Sequence, residues 1–300
     1  MAKPEEPVND DDVVAVPLRH PWRWISGIAA VLLLLNFIYS VVSAKSIQHD
    51  IVSKYLFDVR ILEGALVTVL VTVVCMSIGT VLATLLAIMK LSVNPLLRWL
   101  ATGYIEFFRG TPLLLQIVFW GYLGIIFPEL FLGIPFTDIV FFSGETSDII
   151  PAIVAGVIAL SLNEAAYSAE IVRAGILAVD HGQTEAAKSL GMSSKYTMRR
   201  IVLPQAMRVI IPPMGNEFIG MLKNTSLLQV IAVAELYTQA STISSANLAQ
   251  IELLIVSGFW YLLMTTVLGF PQRALEKKYG RGFEAVGGRP APRTFKVGKR

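Results

Sequence analysis

Long apolar stretches separated by short polar clusters set the rhythm of this chain. A bilayer core takes about 20 mainly apolar residues per helix. Residues 25–44, 64–89, 112–127, 150–172 and 251–270 approach or meet that length. The third stretch is short unless its helix begins near Tyr104. A sixth, 204–222, carries Pro212 and Pro213 in its middle, where proline removes ladder donors and interrupts a helix. The run 227–236 is too short to cross. It reads as a partial or interfacial helix after a break at Lys223-Asn224-Thr225. The pattern predicts an all-α polytopic membrane protein with about six transmembrane helices.

Charge orients these spans. Basic residues accumulate on the cytoplasmic side of membrane proteins. With the N-terminus inside, 21 Lys and Arg fall on the inner face, and 4 (Lys45, Lys54, Arg60 and Lys223) fall outside. Both termini are therefore expected in the cytoplasm. The outer loop 128–148 holds Glu129, Asp138, Glu145 and Asp148 and no Lys or Arg. Residues 1–20, acidic and proline-bearing, and residues 279–300, rich in Gly, Pro, Lys and Arg, read as disordered tails. The basic tail also suits anionic headgroups. Val42-Ser43-Ala44 resembles a leader-cleavage site, but the apolar stretch before it exceeds the usual span of about 7–15 residues and follows an acidic leader. A retained first helix is expected, with 21–61 as an added helix and external loop.

Composition agrees with lipid burial. Of the 300 residues, 54% are hydrophobic and 16% charged, against about 25% charged in soluble domains. The net charge of +3 is small and points to no nucleic-acid partner. The single cysteine, Cys75, sits in an apolar run and allows neither a disulfide framework nor a cysteine metal site. His20, His49 and His181 are far apart and fall in loops, so no histidine cluster is expected. No Gly-x-x-x-x-Gly-Lys-Ser/Thr segment is present to cradle nucleotide phosphates.

The segment 181–204 is too long and too patterned for a simple connection. Gln183 to Leu190 are good helix formers. Gly191 follows where a left-handed cap wants glycine. Ser193 or Ser194 suits the N-cap of a second helix, and Pro204 marks where the next span begins. Two short helices around a tight turn would make a knob, with Ala186 and Ala187 admitting a close partner and Glu185 offering an orienting charge. The same pattern also suits an amphipathic helix lying on the membrane.

The sequence itself separates these readings. Glu185-Ala186-Ala187, Gly191, Ile201 and Leu203-Pro204 match the EAA loop of bacterial ABC-importer permeases at every anchor. Tyr104 to Leu113, Leu160 to Ile171 and Pro212 to Ile219 are similar to phrases of the polar amino acid permease family, the histidine/glutamate/glutamine/arginine/opine group. The resemblance runs over 62–278. It implies a type I ABC importer permease core whose coupling residues Glu185, Ala186, Ala187, Gly191, Leu203 and Pro204 meet a separate ATPase. It further implies that ATP and Mg belong to that ATPase and that this chain binds no cofactor. A second permease copy or paralogue, an external amino-acid-binding protein and a bacterial inner membrane complete the expected setting. The added first helix, the acidic leader and the outer loop depart from the compact five-helix members.

Ionisable residues within spans are costly and face a partner or a pore. Glu106 and Arg109, and Glu170 and Arg173, are three apart on one helical face; each pair suits an ion pair or substrate contact. Glu164, beside Asn163, has no basic residue within four positions. It needs a partner from another helix, a proton or a ligand. Arg109, Asn163, Glu164, Asn216 and Glu217 are the candidate substrate-pathway residues, with Glu164 for a substrate ammonium and Arg109 for its carboxylate. Asn224 and Thr225 suit a pore-lining break. The small residues Gly64, Ala65, Ser77, Gly79, Ala83 and Ala87 suit close helix packing. Three rivals fit less well. An ion-driven carrier would show an inverted repeat, a membrane enzyme would show clustered catalytic groups, and a scaffold would need no ATPase.

Overall fold

A computed structural model describes residues 21–44, 46–134 and 139–279. The acidic leader, Lys45, Asp138 and the basic tail beyond Tyr279 lie outside the described residues. The chain divides into two compact units, residues 1–48 and 49–300. In the first, α1 (Pro21–Val42) is largely apolar, and its large apolar side chains from Trp22 to Tyr39 are exposed, a composition that suits a membrane span.

The second unit is a helical bundle. α2 (His49–Leu56) is a short amphipathic helix that precedes α3 (Val59–Lys90). Asp58 caps α3, its Oδ1 accepting from the Arg60 N–H at 3.0 Å. The Arg60 guanidinium hydrogen-bonded beside it also holds the Asp58 carboxyl below the usual range. α4 (Pro95–Gly110), α5 (Leu113–Gly121) and α6 (Leu123–Ile126) follow. Next come the antiparallel strands β1 (Glu129–Gly133) and β2 (Val140–Glu145), then α7 (Thr146–Ile149) and α8 (Ala152–Leu177). The remainder comprises α9 (His181–Ser189), α10 (Ser194–Thr197), a π turn (Met198–Val202), α11 (Leu203–Asn224), a 3₁₀ turn (Thr225–Ile231), α12 (Leu236–Asn247) and α13 (Gln250–Tyr279).

Among the described residues four helices are long and apolar enough to cross a membrane: Trp22–Ser40, Val59–Lys90, Ala152–Leu177 and Gln250–Tyr279. A pair bent by 45°, Ser194–Ile231 with Leu236–Asn247, adds a fifth when it is counted as one broken span. The expected third span, 112–127, is instead a broken path. α4 is helical through Tyr104 but stops at Gly110, because Pro112 holds Thr111 extended (φ −112°, ψ 141°). α5 then runs only nine residues. The expected interruption at Pro212 and Pro213 does not occur; α11 passes through both. The expected partial helix within 227–236 takes 3₁₀ form, over Thr225–Ile231, and ends at Ala232 in the left-handed region (φ 57°). His49 and His181 begin helices rather than sitting in loops.

α3 and α8 form the centre of the bundle, with α5, α11, α12 and α13 around them. α3 buries Ile61, Gly64, Ala65, Thr68, Val71, Thr72, Cys75, Met76, Gly79, Ala83, Leu86 and Ala87, a stripe with helical spacing. Ser77, expected in this packing set, points out of it and bonds to the Val73 carbonyl. α2 packs on α13, where the Trp260 indole N–H donates to the Leu56 carbonyl at 2.7 Å.

Candidate functional site

The segment 181–204 is shaped by its caps. Asp180 Oδ1 accepts from the Gly182 N–H at 2.7 Å and starts α9. Gly191, at φ +77°, ends it. The Gly191 N–H bonds to the Lys188 carbonyl at 2.9 Å and the Met192 N–H to the Ala187 carbonyl at 3.1 Å, the paired bonds of a Schellman cap. Ser193 Oγ then caps α10 by accepting from the Tyr196 N–H at 3.4 Å. The second helix is not a separate short element as expected. It flows through the π turn into α11, whose first turn holds Pro204, where the sequence places the start of the next span. Pro204 offers no N–H to the carbonyl four residues back, and the ladder widens just before it, so the Leu203 N–H reaches Met198. The Gln205 side chain covers the Ile201 carbonyl at 3.0 Å.

Glu185 and Ala186 stand exposed on α9, but Ala187 is buried inside the turn. Only one of the two alanines therefore presents its methyl outward. Leu190, 82% exposed beside the cap, is an apolar group that sequence reasoning does not single out.

Breaking the helix at Thr111-Pro112 frees carbonyls that need donors. Gln116 Nε2 donates to the Phe108 carbonyl at 2.9 Å, the Thr111 carbonyl at 3.1 Å and Thr111 Oγ1 at 2.8 Å. Asn163 Nδ2 donates to the Phe108 carbonyl at 3.1 Å and to Gln116 Oε1 at 3.2 Å. Asn163 thus ties α8 to the break. Gln116 is missed by sequence reasoning, although a glutamine four residues after Thr-Pro signals a donor near freed carbonyls.

Glu164 is buried against α3, where a Cβ on Gly79 would lie 2.8 Å from its Cγ. Its hydrogen-bond partner is on its own helix, not another: Ser168 Oγ donates to Glu164 Oε1 at 2.5 Å. Glu217 on α11, half-buried, lies within electrostatic reach. Asn216 is exposed beside it.

The expected Glu106–Arg109 ion pair does not form among the described residues. The Arg109 guanidinium carbon instead lies 5.2 Å from the Tyr167 ring centroid, a cation–π arrangement. The expected Glu170–Arg173 pair does form, at 2.8 Å, and Lys90 of α3 joins it at 2.5 Å. Lys90, Glu106, Arg109, Tyr167 and Glu170 line one open cavity of about 410 Å³. Glu164 is not among the residues that line this cavity.

A second buried carboxylate, Glu235, lies hidden in the apolar run 227–236. It is 0% exposed and caps α12 by accepting from the Tyr237 and Thr238 N–H groups at 3.0 and 2.7 Å. The Tyr261 hydroxyl of α13 donates to it at 2.7 Å and the Thr68 hydroxyl of α3 at 3.3 Å. It fastens three helices together.

Comparison with known proteins follows the same core. Residues 79–281 match the family of binding-protein-dependent transport system inner membrane components. The chain belongs to that family. This permease is 44% identical, over 90% of its length, to the arginine transport system permease protein ArgU of Corynebacterium glutamicum, of which it covers 84%. Over 83% of its length it is 35% identical to the L-cystine transport system permease protein TcyB of Bacillus subtilis, covering 98% of that protein. Among solved structures, the permease is similar to an amino acid ABC transporter with histidines: TM-score 0.63, 36% identity, 75% of this chain and 97% of that one. An inward-facing MetNI methionine ABC transporter shares the fold at TM-score 0.55 and 16% identity, over 73% of this chain and 96% of that one. The permease is a multi-pass, membrane-embedded transport subunit of a type I ABC importer, not an enzyme.

Proposed function

We propose that this chain builds half of the translocation path of a polar amino acid importer and is driven by a separate ATPase docked on 181–204. The observation that carries this reading is the Schellman-capped α9, continued through the π turn into α11. A push on α9 has a short, hydrogen-bonded route into a span. Glu185 and Ala186 would meet the ATPase, Ala187 would hold the turn from within, and Gly191 would set its angle. Leu203 and Pro204 would pass the motion to α11. ATP and Mg would reside on that partner. A second copy or a paralogue would supply the other half of the path, and an external binding protein would deliver the substrate. The charge distribution supports a bacterial inner-membrane location with both termini in the cytoplasm.

Residues 62–278 are the transport domain in this reading, flanked by the added helix of 21–61 and the tails 1–20 and 279–300. Glu164 with Glu217 and Asn216 would form one wall of the path and take a substrate ammonium. Arg109 would take a carboxylate, and Asn163 would brace the wall between them. The relatives named for arginine and L-cystine transport support an amino acid substrate.

Gly191→Val tests the coupling. A β-branched residue at φ +77° is strained by about 1–2 kcal/mol. Co-purification of the ATPase and ATP-dependent uptake should fall sharply while the melting temperature of the bundle holds. Gly191→Asn, which tolerates that conformation, should restore both. Unchanged attachment and uptake in Gly191→Val would refute the reading.

A further inference from the structure

We propose that the β1–β2 hairpin anchors this permease in the outer leaflet, lying at the boundary between headgroups and acyl chains. Its outward placement rests on the charge-based orientation given above.

The hairpin is unusually apolar on both faces. Phe131, Leu132, Phe141 and Phe142 are 73, 67, 68 and 56% exposed. Leu132 stands opposite Phe142, and Phe131 opposite Ser143. Successive strand residues point to opposite faces, so Phe131 and Leu132 leave one large apolar group uncovered on each side. A protein partner seated on one face would leave the other in water. A lipid boundary covers both.

Two further features place the hairpin at that boundary. Exposed Ile125, Ile126 and Phe127 lead directly into it from α6, so its apolar surface continues one already facing outward at the edge of the bundle. At its open end Glu129 stands opposite Glu145, an unfavourable like-charge register that suits a wet, headgroup-level base. No Lys or Arg lies between Arg109 and Arg173 to pair with these acids. Full immersion is excluded by the backbone: both strands of a two-stranded sheet are edges, and unpaired edge groups are not tolerated in the hydrocarbon core. At the boundary, water reaches those edges while the phenylalanines enter the acyl region, as with interfacial helices.

The test uses the full chain on a Cys75→Ala background, with Phe131→Cys and Phe142→Cys each labelled with bimane and reconstituted in phosphatidylcholine vesicles. Lipids bearing a doxyl group high on the chain should quench both positions several-fold more than doxyl near the chain end, and aqueous iodide should quench neither. Strong iodide quenching at either position overturns the anchor in favour of a water-exposed hairpin. Resistance to both quenchers at either position overturns it in favour of protein cover, by a binding protein or a second copy. Ser147→Cys, exposed at the base, is separately treated with an impermeant maleimide on intact cells. Reaction supports the outer leaflet. Protection there, with reaction only after the cells are opened, refutes the orientation and the choice of leaflet, while the doxyl result still decides lipid contact.

Discussion

Glu164 and Glu235 are the same residue type, both almost fully buried in one apolar bundle, yet their surroundings differ in kind. Glu235 accepts from two backbone amides and from the hydroxyls of Thr68, Thr238 and Tyr261. Glu164 accepts from Ser168 and has a second carboxylate, Glu217, nearby. A carboxylate offers about four acceptor sites. Those of Glu235 are occupied by the fold, whereas Glu164 has the single donor Ser168 among the described residues. Burial alone does not separate the two carboxylates; the count of donors does, and it is the basis on which a substrate ammonium is proposed for Glu164.

The contrast can be broken most forcefully at Glu235. Glu235→Leu strands the Tyr261 and Thr68 hydroxyls and two amides, at about 1–3 kcal/mol for each buried group left without a partner. The expected outcome is a chain that barely accumulates or melts far lower in detergent. Glu235→Gln, which keeps an acceptor, should fall between. Near-normal melting of Glu235→Leu would show that the junction of α3, α12 and α13 does not depend on this carboxylate.

A smaller loss is expected at Gly79. Its added Cβ would meet Glu164 Cγ at 2.8 Å and Cβ at 3.1 Å, and overpacking of this kind costs about 1–3 kcal/mol. Gly79→Ala should therefore lower the melting temperature, and Glu164→Ala in the same chain should recover much of the loss. If the two effects simply add, the glycine is not there to make room for the glutamate.

The smallest change in stability belongs to Glu164→Gln. It disturbs one hydrogen bond, worth about 1 kcal/mol, so melting should barely move while apparent uptake affinity weakens. A melting loss as large as that of Glu235→Gln, or uptake indistinguishable from wild type, would erase the distinction between the two carboxylates.

Several features of the fold and the site are legible in the chain's local patterns. The helix-terminating role of Gly191 needs only a glycine after a run of helix formers, and its positive φ bears that out. The Glu170–Arg173 pair follows from spacing on one helix. Other expectations fail for an identifiable reason. Glu106 and Arg109 have the same spacing, but Tyr167 of another helix takes the guanidinium. Pro212 and Pro213 resemble a break, but α11 continues through them, and Gln272 of α13 donates to the Pro212 carbonyl at 2.7 Å. Glu235 escapes local inspection because its neighbours in sequence are apolar, while its donors Thr68 and Tyr261 come from other helices.

The sequence by itself therefore determined what depends on near neighbours: which stretches need lipid, where α9 must stop, and which family phrases the chain carries. Tertiary structure alone decided the partners that come from other helices, such as Thr68 and Tyr261 at Glu235 and Gln116 at Asn163. A side chain in an apolar bundle bonds to whatever donor another helix brings within about 3 Å, and no local spacing encodes that encounter.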